Sequence, residues 1–353
     1  MIKVALVRGN YLNNYEGQNY LFNKKRISLT AVSSLKSLDN QYPFPVIKLA
    51  SLADLQVLPY LNKPIKFVSN RIIGDSQILF GLEKIINRFD VFHTADPHYY
   101  YSYQLARLRK DKKIKSLISS SWETIPFNNE SVTKKRFIKK FTQKYIDLFI
   151  CHTERAKDCL ITEGINENKI KVVRIGVNIN KFKSQKHKSK DQNVTILFVG
   201  RLVPEKGLLD LQKAVNQINN SLVKLRVVGN NSVDYQQMPK IYQQANIFVL
   251  PSKTTRTWEE QYGMVLVEAM ASGLPIVAYG SGAIPEIIDK AGILVKEGNI
   301  DQLAYSIYRL IENENLRQKL GKMSRRRTEK FFNCRKTAKQ LTEIYENISR
   351  RPH

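Results

Sequence analysis

The stretch VTILFVGRLVPEKG, Val194 to Gly207, decides the fold. Six residues that are apolar apart from Thr195 end at a glycine, as a strand buried on both faces would. Leu208, Leu211, Ala214, Val215 and Ile218 follow at helical spacing, so a helix leaves the turn. Further apolar runs predict strands at Leu225 to Val228, Ile247 to Leu250, Pro275 to Ala278 and Ile293 to Val295. Strands alternating with helices build a parallel sheet, so a Rossmann-like domain begins near residue 193. Upstream the same rhythm runs through Val4 to Val7, Val91 to Phe92, Leu117 to Ile118, Leu148 to Ile150 and Lys171 to Ile175, with helices over Tyr99 to Arg109 and Lys134 to Asp147. KSQKHKSKDQ, Lys183 to Gln192, has no apolar side chain and reads as a linker. The expected organisation is an N-terminal Rossmann-like domain over 1–182, the linker over 183–192, a second such domain over 193–325 and a C-terminal helical segment over 326–353. Open α/β sheets bind ligands outside the carboxyl ends of their strands, so two such domains are expected to face each other across a cleft that holds the site.

Composition agrees with a folded chain of this kind. The 353 residues are 42% hydrophobic, enough for a core and too apolar for a disordered basic tail. The three cysteines show neither CxxC spacing nor an even count, which argues against a disulfide framework or a zinc site. MIKVALVRGN at the N-terminus is a buried strand, too short for a signal peptide, and no apolar run approaches the ~18–20 residues of a membrane-spanning helix. Lys and Arg number 57 against 31 Asp and Glu, a formal charge of +26 that favours polyanions: nucleic acid, an anionic membrane surface or a phosphorylated small molecule. No nucleic-acid-binding motif accompanies the charge.

Three segments of the second domain carry chemistry. In Gly200 to Gly207, Arg201 and Lys206 sit beside a helix N-terminus, where free N–H groups and the helix dipole favour an anion such as a pyrophosphate. The competing reading is two solvated loop charges. The second segment contains EEQYGMVLVEAMASG, Glu259 to Gly273. Gly263 reads as the entry to a helix ending near Ser272, with Gly273 as its left-handed stop. Glu260 then precedes the helix and Glu268 lies about one and a half turns inside it, so the two form no adjacent acid/base dyad. Glu260 is placed to meet one end of an elongated ligand. Glu268, on a helix apolar almost all round, needs a partner, and ribose hydroxyls would supply one. The N–H groups of Gly263, Met264 and Val265 would point toward phosphate or sugar oxygens. The third segment, PIVAYGSGAIPEII from Pro275, leads a strand into a small-residue turn that fits either a close approach to phosphates or a plain strand-to-helix connection.

Taken in this order and spacing, VGRLVPEKG, EEQYGMVLVEAMASGLPIVAYGSGAIPEII and GILV resemble the retaining GT-B glycosyltransferases of glycosyltransferase family 4, the group 1 transferases. The resemblance covers Val194 to about Leu310 and continues more loosely through DVFHTADP, YIDLFICHTERAKDCLITEGI and KVVRIGVNINKF. It implies two facing Rossmann-like domains, a last helix crossing back to the first, and a metal-independent hexosyl transfer, without a cofactor, from a nucleotide-diphosphate sugar with retention of configuration; a non-catalytic, epimerase-type or phosphorylase-type protein of the same fold is the alternative. Carried over by position, Arg201 and Lys206 would stabilise the leaving diphosphate, Glu260 would contact donor-sugar hydroxyls, and Glu268 would hold the ribose. The acceptor would be a glycan, a lipid-linked glycan or another hydroxyl compound of cell-envelope polysaccharide or glycolipid synthesis, the partner no nucleic acid, and the location cytoplasmic, with peripheral attachment to the inner membrane face as a variant.

The sequence departs from the family pattern at three places. The first loop, Arg8 to Gln18, lacks the Gly-Gly pair of many relatives, leaving Gly9 and Gly17 as candidates for the acceptor or phosphate loop. Trp122 stands where relatives often carry an active-site histidine, with Glu123 beside it as a candidate polar contact; His93 reads as a buried strand-end histidine, or as a catalyst, that would face the cleft. Between Gly229 and Tyr242 relatives usually have a further strand and loop near the nucleobase, and this chain has only Asn230 to Ile241. The helix around Lys134 to Tyr145 interleaves cations with Phe137, Ile138, Phe141 and Tyr145; it fits an interfacial membrane anchor or a helix packing its stripe on the sheet.

Overall fold

In the computed structural model the described residues are 1–39, 41–57, 69, 71–183, 193–229 and 233–350. Two units emerge, Met1–Ile175 with Arg335–His353 (unit 1) and Gly176–Cys334 (unit 2). Of the stretch expected to link them, residues 184–192 lie outside those described.

Unit 1 opens with β1 (Ile2–Val7), the short α1 (Asn14–Gly17), β2 (Ile27–Ser34), β3 (Val46–Leu49) and β4 (Val91–Thr94). It continues with α2 (Tyr100–Lys110), β5 (Leu117–Ser121), α3 (Thr133–Tyr145), β6 (Leu148–Cys151), α4 (Glu154–Thr162) and β7 (Ile170–Val172). The strands form one parallel sheet in the order β3-β2-β1-β4-β5-β6-β7. Alternation along β1 shows how it is covered. Ala5 and Val7 face a core with Leu105 and Ala106 of α2, while Val4 and Leu6 face the opposite core.

Unit 2 comprises β8 (Val194–Val199), α5 (Leu208–Ile218), β9 (Val223–Val228), α6 (Met238–Gln243), β10 (Ile247–Leu250), α7 (Met264–Ala271), β11 (Ile276–Tyr279), α8 (Ile284–Ile288), β12 (Gly292–Val295), α9 (Ile300–Glu312) and α10 (Glu314–Phe331). Its parallel sheet runs β12-β11-β10-β8-β9, so β10 and β11 are buried along their length while the outer strands β9 and β12 are half-exposed. No strand beyond β9 occurs among the described residues, in line with the short stretch read between Gly229 and Tyr242. The last helix, α11 (Cys334–Ser349), belongs to unit 1, where Leu341, Ile344, Tyr345 and Ile348 complete the core containing Val4 and Leu6. Among the described residues no helix is long and apolar enough to cross a membrane.

Strand order fixes where each sheet can receive a ligand. Successive connections leave in opposite directions between β1 and β4 in unit 1, and between β8 and β10 in unit 2. The crevice at such a switch point lies outside the carboxyl ends of those strands.

Candidate active site

In unit 2 the loops after β8 and β10 border the switch point. They are locked together: the Lys253 N–H donates to the Glu205 carbonyl at 2.8 Å, and Gly207, at φ 70°, lies so close to the Pro251 carbonyl that a Cβ would strike it. This brings Lys206 to Glu260, with Nζ to Oε2 at 2.6 Å and side chains only 12% and 8% exposed. Ser252 Oγ donates to the same carboxylate oxygen at 2.9 Å, and the ammonium lies 4.9 Å from the centroid of the Trp258 ring. The ammonium is thus held between a carboxylate and an aromatic face, poorly hydrated and fixed in position.

The backbone of Glu260 is fixed by the turn after β11. Its carbonyl accepts from Ala283 N–H at 2.8 Å, and its N–H points to Ser281 Oγ at 3.4 Å. Gly282, at φ 52°, sits against the Glu260 backbone where any Cβ would collide. The turn after β11 thus packs tightly on the Glu260 backbone.

Around this pair, Asp210 of α5 accepts from Lys253 Nζ at 2.7 Å and Tyr279 OH at 3.2 Å. Thr254 Oγ1 lies 3.0 Å from Ser281 Oγ. Arg201 stands apart from the pair: its guanidinium is 3.7 Å from Glu205, with a side chain 59% exposed. Gly263 caps α7 in the left-handed region at φ 77°, and no side chain caps that helix, which leaves the first-turn N–H groups of Met264 and Val265 unspent on one.

Glu268 lies buried inside α7, and its Oε2 accepts from Tyr242 OH at 2.8 Å. Burial pushes its carboxyl up to about 7, opposed by hydrogen bonds from Tyr242 and Tyr235. Since the folded-state value lies above the ordinary 4.5, the unfolded chain releases this proton first, and stability falls as pH rises from about 4.5 to about 7. Glu268→Gln is therefore expected to match the wild type near pH 4.5 and to exceed it by up to about 3 kcal/mol at pH 8, at ~1.4 kcal/mol per unit. Urea unfolding at the two pH values checks the sign.

In unit 1 the switch point is underlain by a polar network. Arg8, 2% exposed, donates Nε to Glu16 Oε1 at 3.0 Å. One terminal nitrogen serves the Val7 and His93 carbonyls, both at 3.1 Å; the other serves Tyr20 OH at 2.9 Å and Ser120 Oγ at 3.3 Å. All five guanidinium protons are thereby used. Burial works most strongly against the Arg8 charge, but Glu16, Tyr20 and Tyr101 together turn the net shift upward; burial likewise works against ionised Glu16, and Arg8 with the Tyr20 hydroxyl and His152 brings its value below the ordinary one.

His93 is fully enclosed, with Nδ1 2.7 Å from Tyr345 OH and Nε2 2.9 Å from Ser120 Oγ, and burial holds it neutral. Gly9 (φ 55°) and Gly17 are buried, the first beside the Tyr101 ring and the second beside Phe44. Glu123 staples its own loop: Oε1 accepts from Thr124 and Ile125 N–H, both at 3.1 Å, and Oε2 from the amides of Asn128 and Asn129 at 3.0 and 3.1 Å. Asp96, which the sequence reading did not single out, is buried at the end of β4, accepts from Trp122 N–H at 2.9 Å, and is pushed up to about 7 by burial. In α3 the inward face is Ile138, Lys139, Thr142 and Gln143, and Lys139 pairs with Glu130 and Glu163, so its charge is not part of any solvated stripe.

Within unit 2 the structure joins Lys206 to Glu260, while Arg201 pairs with Glu205 and Glu268 with Tyr242. Ser252, Trp258, Asp210 and Ser281 complete the surroundings, and no local pattern announced them. Among the described residues no group of three or more His, Cys, Asp or Glu side chains is arranged to hold a metal.

Residues 193–313 match the family model described as glycosyl transferases group 1. Among curated proteins, the Staphylococcus aureus capsular polysaccharide biosynthesis glycosyltransferase CapM is 29% identical over 237 residues, 56% of this chain and 61% of the relative. Spore coat protein SA of Bacillus subtilis is 30% identical over 185 residues, 43% of this chain and 48% of the relative. The chain thus spans about half to two-thirds of the length of these relatives. Among solved structures, Anabaena HepE in complex with UDP and glucose superimposes with a TM-score of 0.75 at 16% identity, covering 98% of this chain and 100% of that one. Sucrose-phosphate synthase from Thermosynechococcus elongatus gives 0.70 at 16% identity, over 99% of each chain. The architecture is that of the GT-B glycosyltransferases.

Proposed function

We propose that this chain, whose residues 193–313 carry the group 1 glycosyltransferase pattern, is a retaining glycosyltransferase using a nucleotide-diphosphate sugar in cell-envelope polysaccharide or glycolipid synthesis. The observation that carries the reading is the Lys206–Glu260–Ser252 constellation at the unit 2 switch point. The bond from the anomeric carbon to the diphosphate oxygen breaks with its electron pair leaving on the diphosphate. The acceptor hydroxyl oxygen bonds that carbon on the face the diphosphate leaves, and the hydroxyl proton passes to a leaving phosphate oxygen. Charge therefore develops on the diphosphate, where a preorganised cation contributes most. Lys206 is that cation, Arg201 adds a second from the exposed loop, and the α7 N–H groups of Met264 and Val265 add dipoles. No metal is part of the scheme. Glu260, already anchored through its backbone, accepts from donor-sugar hydroxyls, and Glu268 takes the ribose.

HepE is described in complex with UDP and glucose, and CapM by its role in capsular polysaccharide biosynthesis; both favour a nucleotide sugar and a glycan acceptor here. The exposed Lys134, Arg136, Phe137, Lys140 and Lys144 of α3 suit peripheral attachment to the cytoplasmic face of an anionic membrane, which co-sedimentation with vesicles containing phosphatidylglycerol checks. The donor is identified by a thermal-shift screen of nucleotide-diphosphate sugars, since a ligand bound only by the folded state raises the melting temperature. At least one member is expected to do so, and a flat response across the panel contradicts the reading.

A further inference from the structure

Four buried side-chain atoms among the described residues have no hydrogen-bond partner: Tyr101 OH, Thr124 Oγ1, Thr142 Oγ1 and His152 Nε2. Thr142 lies inside α3. The other three lie on segments that leave the carboxyl ends of β4, β5 and β6, the edge of the unit 1 sheet at which a doubly wound fold receives ligands. A buried polar atom left without a partner costs about 1–3 kcal/mol, so a folded chain that retains one calls for a physical reason.

His152 shows that reason most clearly. It follows β6 directly and is 3% exposed. Its Nδ1 lies 2.9 Å from the Val173 carbonyl, and a carbonyl only accepts, so the ring proton is on Nδ1. Burial lowers its value to about 4, which keeps the ring neutral near pH 7. The Nε2 lone pair is therefore a fixed acceptor with nothing to accept from. The half-buried Trp122 ring lies against the imidazole, with centroids 4.2 Å apart and planes tilted by 55°. Two residues after Trp122, Thr124 Oγ1 has no partner either. An aromatic face beside a fixed acceptor suits one class of ligand, a sugar, whose C–H face packs on the ring while a hydroxyl donates to the nitrogen.

We propose that Trp122 and His152 form a sugar-binding subsite in unit 1, in which His152 Nε2 accepts a hydrogen bond from a carbohydrate hydroxyl once the indole shifts off the imidazole. The assignment rests on the glycosyltransferase reading and deepens it. His152 acts as a positioning residue: it takes up no proton, and it orients the hydroxyl it binds. That hydroxyl belongs either to the donor sugar or to the acceptor.

His152→Phe keeps a ring against Trp122 and deletes both ring nitrogens, the Nε2 acceptor and the Nδ1–H bond to the Val173 carbonyl with it; His152→Gln keeps an acceptor. With the nucleotide sugar selected by the thermal-shift screen, release of nucleoside diphosphate is followed without acceptor and with a panel of methyl glycosides. In the phenylalanine variant the relief of the unpartnered Nε2 offsets the loss of the Nδ1–H bond to Val173, so it is expected to melt near the wild-type temperature while kcat/KM falls at least about tenfold, with the glutamine variant regaining part of the loss. A loss seen without acceptor assigns the hydroxyl to the donor; one seen only with methyl glycosides, through KM, assigns it to the acceptor. Should the phenylalanine variant fail to fold, 15N-histidine-labelled wild-type protein reads the same contact, because the Nε2 resonance shifts upfield when it gains a hydrogen bond. Wild-type kinetics in a folded His152→Phe protein, or an Nε2 resonance unmoved by saturating donor and methyl glycosides, overturns the subsite. A wild-type protein that turns over no nucleotide sugar contradicts the glycosyltransferase reading itself, and the subsite with it.

Discussion

Lys206→Ala is expected to lower the rate of nucleoside diphosphate release by about 10²–10³-fold, the scale set by removing one preorganised group from developing charge. The geometry explains why the loss should appear in kcat as well as in KM. The ammonium is held by Glu260 at 2.6 Å and lies 4.9 Å from the Trp258 ring centroid, so little reorganisation remains when charge builds on the diphosphate. Glu260→Ala should cost as much or more, because it removes the proposed sugar contact and also frees Lys206 from its position. The two losses are expected not to add, since the residues act as one unit. Arg201→Ala should do less, its guanidinium being exposed and 3.7 Å from Glu205. Steady-state kinetics on the double-mutant cycle, with circular dichroism to show that each variant is folded, checks the set.

Arg8→Met is expected to destabilise unit 1 by about 3–5 kcal/mol, the cost of leaving a buried charge without its partner. The loss falls on several groups at once. Glu16 loses its counter-charge, Tyr20 OH and Ser120 Oγ lose a donor, and so do the carbonyls of Val7 and His93. Measured against a total of about 5–15 kcal/mol for a typical domain, this is a large fraction. Adding Glu16→Gln should recover part of it, because the second change neutralises the stranded carboxylate. Denaturant unfolding of the single and double variants gives both numbers.

What the sequence disclosed follows from how local each signal is. β8, β10 and β11 are buried on both faces, so their apolar runs stand out, and the helices after them keep a visible stripe. β2 has the sequence ISLTAVSS, four hydroxyl residues in eight, and its burial comes from neighbours on either side that no local pattern shows. Lys206 and Glu260 were legible as separate residues of the right kind. Their contact was not, because 54 residues separate them and only the adjacency of β8 and β10 brings their loops together. Arg8 was one of 57 basic residues beside a turn, yet its partners lie at positions 16, 20, 93 and 120, and Tyr345 of α11 bonds the same His93 from 252 residues away. His152 sits in the run CHTERAKD with nothing to mark it. Its interest arises from an unpartnered nitrogen, which is a property of packing alone.

The proposed chemistry turns on Lys206 lying beside the leaving diphosphate of a nucleotide-diphosphate sugar. The most direct measurement is release of nucleoside diphosphate from a panel of such sugars by the wild type and by Lys206→Ala. Turnover of at least one member by the wild type, reduced about 10²-fold or more in the variant, is the predicted result. No turnover of any member by the folded wild type, or equal turnover by both proteins, would contradict it.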